Sequence, residues 1–580
     1  MTQVSPSRPL TERLEWPHAE VRLSRPASII EADGLVCIAR GTPRFPEQIT
    51  DTTVAGAWLA LYRQFGADAP SKVHGRFGVA IVDTRERSVF LASDRFGTEP
   101  WCYACRGDRM VVADRADLAT DSQSGISPDA VYSYLFHHMI PSPMTIFKDV
   151  KRLEGGHRLL WRDASPVIDA WWRPVFTEPR KMDFGEAKQR FMSIIEAAVR
   201  EAASRGKVGS FLSGGTDSST VAGMLCKVLG APAETYSMGF DATGYDEMEY
   251  ARIASRHFGT HHHEYYVTPE DLLDGIPKVA RHYDQPFGNS SAVPAWLCAS
   301  LARADGIDTL LAGDGGDELF GGNTRYAKQQ VFGWYDHVPA PLRRGVLEPL
   351  LSLSISQRLP VVKKAASYVE QARVPLPHRI HQYNLLVRLG ASQVFVPEFL
   401  AQIDTDAPTH GHESVWQRIN AGSKLNRQLA FDWKYTLEDN DLPKILGTTD
   451  LANIGVAFPL LDDALIDFSL DLPLDYKLRG FKLRWFFKEA LRDFLPEAII
   501  TKKKHGFGLP FGVWACEHAG LRELAGDTLG SLKQRGIIEP KFIDRVIDEL
   551  LPEHPGYYGE LVWILMMMEL WMSRPASSAT

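Results

Sequence analysis

Twice in this chain an apolar, strand-like run ends in a turn that mixes glycine with aspartate and then passes into a helical pattern. The first run, VGSFL, leads into Ser213-Gly214-Gly215-Thr216-Asp217-Ser218-Ser219. The second, DTLLA, leads into Gly313-Asp314-Gly315-Gly316-Asp317-Glu318. Around them the pattern alternates: helical SSTVAGMLCKVLG, strand-like ETYSMGF, helical DEMEYARIASRHFG, then HHHEYYV, a further helical stretch and DTLLA. Such alternation predicts a doubly wound α/β unit, because parallel strands need crossover helices that pack on the sheet. In an open parallel sheet the loops at the carboxyl ends of the strands line the ligand cleft, so both turns are expected to face one site.

The chemistry of the first turn follows from its parts. A strand, a glycine turn and a helix N-terminus present backbone N–H groups and a positive dipole end, which suits a phosphate. Ser213, Ser218 and Ser219 add hydroxyl donors, and Asp217 suits a metal ion bridging phosphate oxygens. The turn lacks the Gly-Lys-Ser/Thr ending of a Walker A loop and is not a dinucleotide fingerprint. A turn that merely caps a helix is the plain alternative, and the second acidic loop argues against it. Carboxylates opposite a phosphate cradle point to magnesium and a nucleoside triphosphate. Because carboxylates alone repel phosphates, a basic group is also required, and Lys502, Lys503 and Lys504 in ITKKKHGFGLPFGVW are candidates.

The first part of the chain reads differently. LVCIA, RFGVAIVD, SVFLASD, RMVVAD and GHRLLWR are short β-like segments separated by turn residues,. A proline-containing connector, WWRPVFTEPRKM, precedes a helix that starts at Asp183 with Glu186 three residues on, as in a capping box. Ala187, Phe191, Ile194, Ile195 and Ala198 give that helix an apolar face. The expected division is residues 1–175, β-rich, and residues 176–580, an α/β domain whose part beyond about Tyr326 is helical. With 64 basic and 72 acidic residues, the net charge of −8 argues against bulk capture of nucleic acid or an anionic membrane,. Of six cysteines only Cys102 and Cys105 form a CxxC pair, which favours neither a disulfide scaffold nor a zinc site,. The most apolar stretch, Leu561 to Leu570, is interrupted by Glu569 and falls short of the roughly 20 residues of a membrane span. A soluble, cytoplasmic protein is expected.

At the two loops the sequence resembles the asparagine synthetase superfamily. SGGTDSS is similar to its pyrophosphatase-loop motif and GDGGDELFGG to its second acidic loop. The likeness continues in DEMEYARIASRHFGTHHHEY, in FPLLD (Phe458 to Asp462) and in KHGFGLPFGVW. It implies an N-terminal-nucleophile-hydrolase-like β-rich sandwich followed by a doubly wound parallel-sheet ATP-pyrophosphatase domain with a helical C-terminal part. It implies too an enzyme that uses ATP and Mg2+ to adenylate a carboxylate, releases pyrophosphate and lets an amine attack. Carried over, the resemblance puts Ser213, Gly214, Gly215, Asp217, Ser218 and Ser219 on the pyrophosphate and Gly313 on the nucleotide. Met238, within Ser237 to Gly239, lies against the adenine, and Asp217 and Asp317 hold the metal. Lys504 and Asp314 belong to the reacting centre, Lys504 as a fixed ammonium that stabilises the developing charge. His261, His262 and His263 look like a metal cluster, but family members carry a similar His-His-Glu without metal, so they are assigned to structure.

The first half resembles the family's glutaminase domain through Gly75-Arg76-Phe77-Gly78-Val79-Ala80-Ile81-Val82-Asp83 and LASDRFGTEPWCY. That domain opens with a cysteine at position two, where this sequence has Thr2. A threonine can use its own amine as base, but the following VSPSRPL is interrupted by prolines and does not read as the strand that would hold a nucleophile. The family's glutamine-holding Asn-Gly-Glu falls at Arg40-Gly41-Thr42, so a carboxylate that pairs with an ammonium is replaced by a hydroxyl beside arginines. Glutamine hydrolysis is therefore not expected. Gly455-Val456-Ala457 stands where asparagine synthetases show Glu-Val-Arg, which weakens the case for free aspartate. These departures look like the lasso peptide cyclases, which adenylate an Asp or Glu side chain of a precursor peptide and close a macrolactam with its N-terminal amine. A leader-peptide-binding protein and a cysteine protease are the partners that resemblance implies. The alternatives are an ammonia-dependent asparagine synthetase, an amide ligase of the β-lactam synthetase kind, and a catalytically silent nucleotide-binding scaffold. Joint retention of Asp217, Asp317 and Lys504 speaks against the last.

Overall fold

The computed structural model describes residues 11–337, 339–342, 368–382, 384–502 and 508–574. The β-like segments of the first half form two stacked sheets. One has six antiparallel strands, in the order Ser165–Ala170, His157–Arg162, Ser88–Ser93, His74–Asp83, Leu35–Arg44 and Ser28–Ala32. The other has five, in the order Glu12–Glu15, Ala19–Leu23, Arg109–Ala113, Cys102–Arg106 and Lys151–Arg152, with Ala19–Leu23 and Arg109–Ala113 running parallel. Alternation along each strand divides the side chains. Val36, Ile38, Ala80 and Val82 face the second sheet, where they meet Val21, Leu23 and Val112. Their neighbours Cys37, Ala39, Val79 and Ile81 face Trp58 and Leu61 of the helix Val54–Phe65. The period of two thus buries both faces of the six-stranded sheet along its central strands, while the edge strand Ser165–Ala170 is exposed,.

The helix Phe184–Ala203 begins on Asp183, whose carboxylate accepts the Glu186 N–H at 2.8 Å. Ala187, Phe191, Ile195 and Ala198 are buried, while Ile194 is only partly covered. Beyond it lies a five-stranded, wholly parallel sheet in the order His261–Val267, Glu234–Phe240, Val208–Phe211, Thr309–Leu311 and Gly455–Ala457. The chain enters in the middle, winds to one edge, and returns to build the other side. The winding therefore reverses between Val208–Phe211 and Thr309–Leu311, the position at which such sheets open a crevice. Successive residues again serve opposite faces: Leu310 joins Tyr236 and Cys298, whereas Leu311 joins Phe191 and Val221. The fifth strand, Gly455–Ala457, was not anticipated, since GVA lacks the apolar run that marks the equally short Thr309–Leu311.

The two halves share a core. The helix Pro128–His137 packs with Pro269–His282 and Pro555–Met572, and the Tyr134 hydroxyl donates to the Ile564 carbonyl at 2.9 Å. Arg95 reaches Asp463 at 3.0 Å and Asp467 at 2.6 Å, and Arg152 reaches Asp284 at 2.7 Å. The apolar stretch Leu561 to Leu570 lies inside Pro555–Met572, where Glu569 is buried against Arg535 and Ser573. Among the described residues no helix is long and apolar enough to cross a membrane.

Candidate functional site

Both acidic turns open into one cavity of about 350 Å3 at the carboxyl ends of the central strands. Its wall includes Ser213, Gly215, Asp217 and Ser218 from the first turn, Gly313, Asp314 and Asp317 from the second, and Met238 from Glu234–Phe240. Hydroxyls fix the first turn: the Ser213 N–H donates to Ser218 Oγ at 3.1 Å, and the two seryl oxygens lie 3.0 Å apart. Gly215 caps the helix Thr216–Leu229 without a side-chain bond, so the first N–H groups of a 14-residue helix face the cavity,. Glycine is required at two places. Gly214 has φ +67°, and a Cβ there would lie 2.4 Å from the Ala251 nitrogen. A Cβ on Gly313 would lie 2.8 Å from the Ser218 nitrogen, so the two loops touch backbone to backbone.

Asp217 and Asp317 converge on Arg484, a residue the sequence reading did not single out. Its Nη1 lies 2.7 Å from both oxygens of Asp217 and 2.7 Å from Asp317 Oδ1. Burial works against the guanidinium's charge, but the two carboxylates outweigh it and hold the group above its ordinary range. Two carboxylates that share one cationic atom also suit a small divalent ion that completes its shell with phosphate oxygens and water. The residues present therefore fit Mg2+ together with a nucleotide.

Asp314 is on the same wall. Burial pushes its carboxyl up to about 6, with Asp441 and Asp217 adding to the shift and Lys444 opposing it. Lys444 Nζ lies 3.3 Å from Asp441 Oδ1, one turn earlier. Burial disfavours the Lys444 ammonium, yet Asp441 and Asp314 keep its pKa raised. Among the described residues of the wall, Lys444 is the one cation beside Asp217, Glu247, Asp314, Asp317, Glu318 and Asp441. The acidic run LEDND ahead of Lys444 was the available signal for this cluster; Arg484 offered none, standing some 270 residues from Asp217.

Not every expected residue reaches the cavity. Ser219 is buried on the helix, away from the opening, its N–H spent on the Gly215 carbonyl at 3.0 Å. Gly214 is also off the wall and turns its carbonyl toward Lys502 Nζ at 3.4 Å. Lys502 pairs with Glu247 at 3.2 Å and lies over the Tyr250 ring. Lys503, Lys504 and Thr2 lie outside the described residues. His261, His262 and His263 open their strand at its amino end, opposite the cavity. His261 and His263 pair with Glu234, His263 also with Asp305, and His262 with Thr235.

The segment Arg40-Gly41-Thr42, where the resemblance puts a glutamine-holding motif, is occupied by ion pairs. Arg40 is buried, donates to the Pro100 carbonyl at 2.6 Å and covers the Trp101 ring at 4.5 Å. Its Nη1 lies 3.4 Å from Asp114 and 3.7 Å from Glu99. Glu99 further takes Arg76 at 3.0 Å and Arg25 at 3.5 Å. Burial raises the cost of the Glu99 charge, but Arg25, Arg76 and Arg40 together keep its pKa below the ordinary value.

Comparison with known proteins adds family context. The sequence pattern of the family described as "Asparagine synthase" matches residues 190–573, and that described as "Glutamine amidotransferase domain" matches residues 46–172. The chain is 23% identical over 530 residues to the glutamine-hydrolyzing asparagine synthetase 1 of Bacillus subtilis, covering 89% of this chain and 80% of the relative. It is 24% identical over 478 residues to synthetase 3 of the same organism, covering 79% and 70%. A protein named amidase chyE, from Penicillium rubens, is 20% identical over 503 residues, covering 80% and 74%.

Proposed function

The chain belongs to the asparagine synthase family and is an ATP-dependent amide-forming ligase, and from that premise we propose that its substrate is a peptide rather than free aspartate. On this reading it is a lasso peptide cyclase. It activates an Asp or Glu side chain of a precursor peptide and joins it to the peptide's own N-terminal amine. The carboxylate oxygen attacks the α-phosphorus and pyrophosphate leaves; the amine nitrogen then attacks the acyl carbon, the bond to AMP breaks, and the amine gives up a proton. Holding both ends of one peptide in a single site replaces a bimolecular encounter with a positioned one.

The observation that carries this reading is the ion cluster around Arg40. Glu99 and Asp114 are committed to Arg25, Arg40 and Arg76, so among the described residues these two carboxylates are already paired rather than open to the ammonium of glutamine. With ammonia from glutamine unsupported, an amine carried by the substrate is the simplest nucleophile. In the cavity, Ser213, Ser218 and the helix N-terminus would bind the phosphates and Met238 would flank the base. Asp314 would accept a proton near the attacking amine, and the resemblance gives Lys504 the role of stabilising the developing charge. Mg2+, held by Asp217 and Asp317, would neutralise charge on the phosphate oxygens. A leader-peptide-binding protein and a cysteine protease would prepare the peptide.

The names of the Bacillus relatives favour a second reading, amidation of free aspartate. One experiment separates the two. Purified protein with ATP and Mg2+ is given either the precursor peptide, with its leader removed, or aspartate plus ammonia or glutamine. The cyclase reading expects AMP and pyrophosphate only with the peptide, whose product is lighter by one water. Asparagine formed at a comparable rate would overturn it.

A further inference from the structure

The Arg484 contact is more than a filler of charge. We infer that Arg484 is a resident counter-ion of Asp217 and Asp317 whose place a divalent cation takes only together with nucleotide phosphates. The inference rests on reading this cavity as a metal-assisted nucleotide site.

Three observations carry it. First, a single nitrogen, Nη1, stands 2.7 Å from three carboxylate oxygens of the two aspartates, so the guanidinium occupies the place where a shared cation would sit. Second, the surrounding backbone is cut to fit it. A Cβ on Gly322 would lie 2.7 Å from Arg484 Cδ, and one on Gly316 would lie 2.3 Å from Asp217 Oδ1. Third, Arg484 sits at φ +50° immediately before the helix Trp485–Ala490, a left-handed conformation that a non-glycine residue adopts only when its surroundings fix it,. The ion pair supplies that fixing force, for the side chain is 8% exposed and little of the contact is screened by water.

A free metal ion must displace this guanidinium and leave a buried cation without its partners, which is costly. Phosphates change the balance, because they offer a planar guanidinium new bidentate acceptors as the aspartates are surrendered. Lys488, one turn along the same helix, is a second cation near Arg484, Asp217 and Asp317. Nucleotide and metal are thereby taken up as one unit.

The test uses Mn2+ as the probe and the full chain, with protein-bound metal measured by equilibrium dialysis with and without ATP. Wild-type protein is expected to retain Mn2+ with ATP and not without it. Arg484→Met and Arg484→Gln, checked for a cooperative thermal transition, should bind Mn2+ without ATP roughly tenfold more tightly or better. Arg484→Lys, which keeps the charge, should stay close to wild type. Nucleotide-independent binding by the wild type, or neutral variants that bind no more tightly than it, overturns the inference. Wild type that retains no Mn2+ even with ATP removes the metal-assisted reading of the site itself, and the inference with it.

Discussion

At Gly313 the two acidic loops approach within the width of a methyl group, and this contact fixes the distance between the phosphate cradle and Asp314. A Cβ there meets the backbone of Asp217 and Ser218 at 2.9 and 2.8 Å, atoms that cannot rotate away as a side-chain tip would. Gly313→Ala must therefore push one loop off the other. Overpacking of this kind costs about 1–3 kcal/mol, and a displacement near 1 Å at a reacting centre costs on the order of 100-fold in rate. Pyrophosphate release should fall by about that factor while the protein still melts cooperatively; a variant with wild-type turnover would mean that the loops are not coupled. The residues of both turns were legible because a strand, glycines and aspartates stand together in sequence. Arg484, Asp441 and Lys444 were not, because they meet the aspartates of these turns from segments more than 200 residues away from the first turn. Neither hydrophobic period nor local turn chemistry records a contact of that span.

Elements carry these residues by rules of very different visibility. The strands and helices around the first turn announced themselves by apolar runs and helical period, whereas the strand Gly455–Ala457 and the wide-turn helix Trp433–Asp441 did not. The latter runs into Leu442–Leu451, so one continuous rod presents Lys444 and Asp441 to the cavity while Lys434, Glu438 and Asp439 bind Ser142 of the first half. Its packing is tight at Gly447, where a Cβ would lie 2.4 Å from the Tyr283 ring. Gly526, in the helix Ala519–Leu532, has open space around it. Gly526→Ala should stabilise by about 0.5–1 kcal/mol through helix propensity, and Gly447→Ala should destabilise by about 1–3 kcal/mol through overpacking. Denaturant midpoints read both; shifts of the same sign would show that helix propensity or packing had been misjudged at one of the two sites.

Across the whole molecule, the junction between the halves is built on histidines that must remain neutral. His137, at the end of Pro128–His137, has its Nε2 2.8 Å from that of His412, and His381 stacks on His412 with ring centres 4.1 Å apart. Tyr435 stacks on His137, Phe136 and Phe431 close the cage, Arg325 bears on His381, and His378, paired with Glu413 at 3.0 Å, bears on His412. Burial lowers the imidazoles of His137, His381, His412 and the adjoining His138, the last two to about 4, with His412 adding to the effect at His137 and His381. The unfolded chain, whose histidines titrate near 6.5, therefore binds protons before the folded one does. The stability these groups contribute is complete above pH 6.5 and is lost as pH falls from there toward 4, at up to about 1.4 kcal/mol per pH unit for each histidine. The melting temperature should accordingly drop steeply over that interval. Replacing both His137 and His412 by Gln should flatten the slope while lowering the plateau at neutral pH, because the neutral cage then titrates less. An unchanged slope in the double variant would assign acid lability to other groups, with the carboxylates of the interdomain ion pairs as the next to examine.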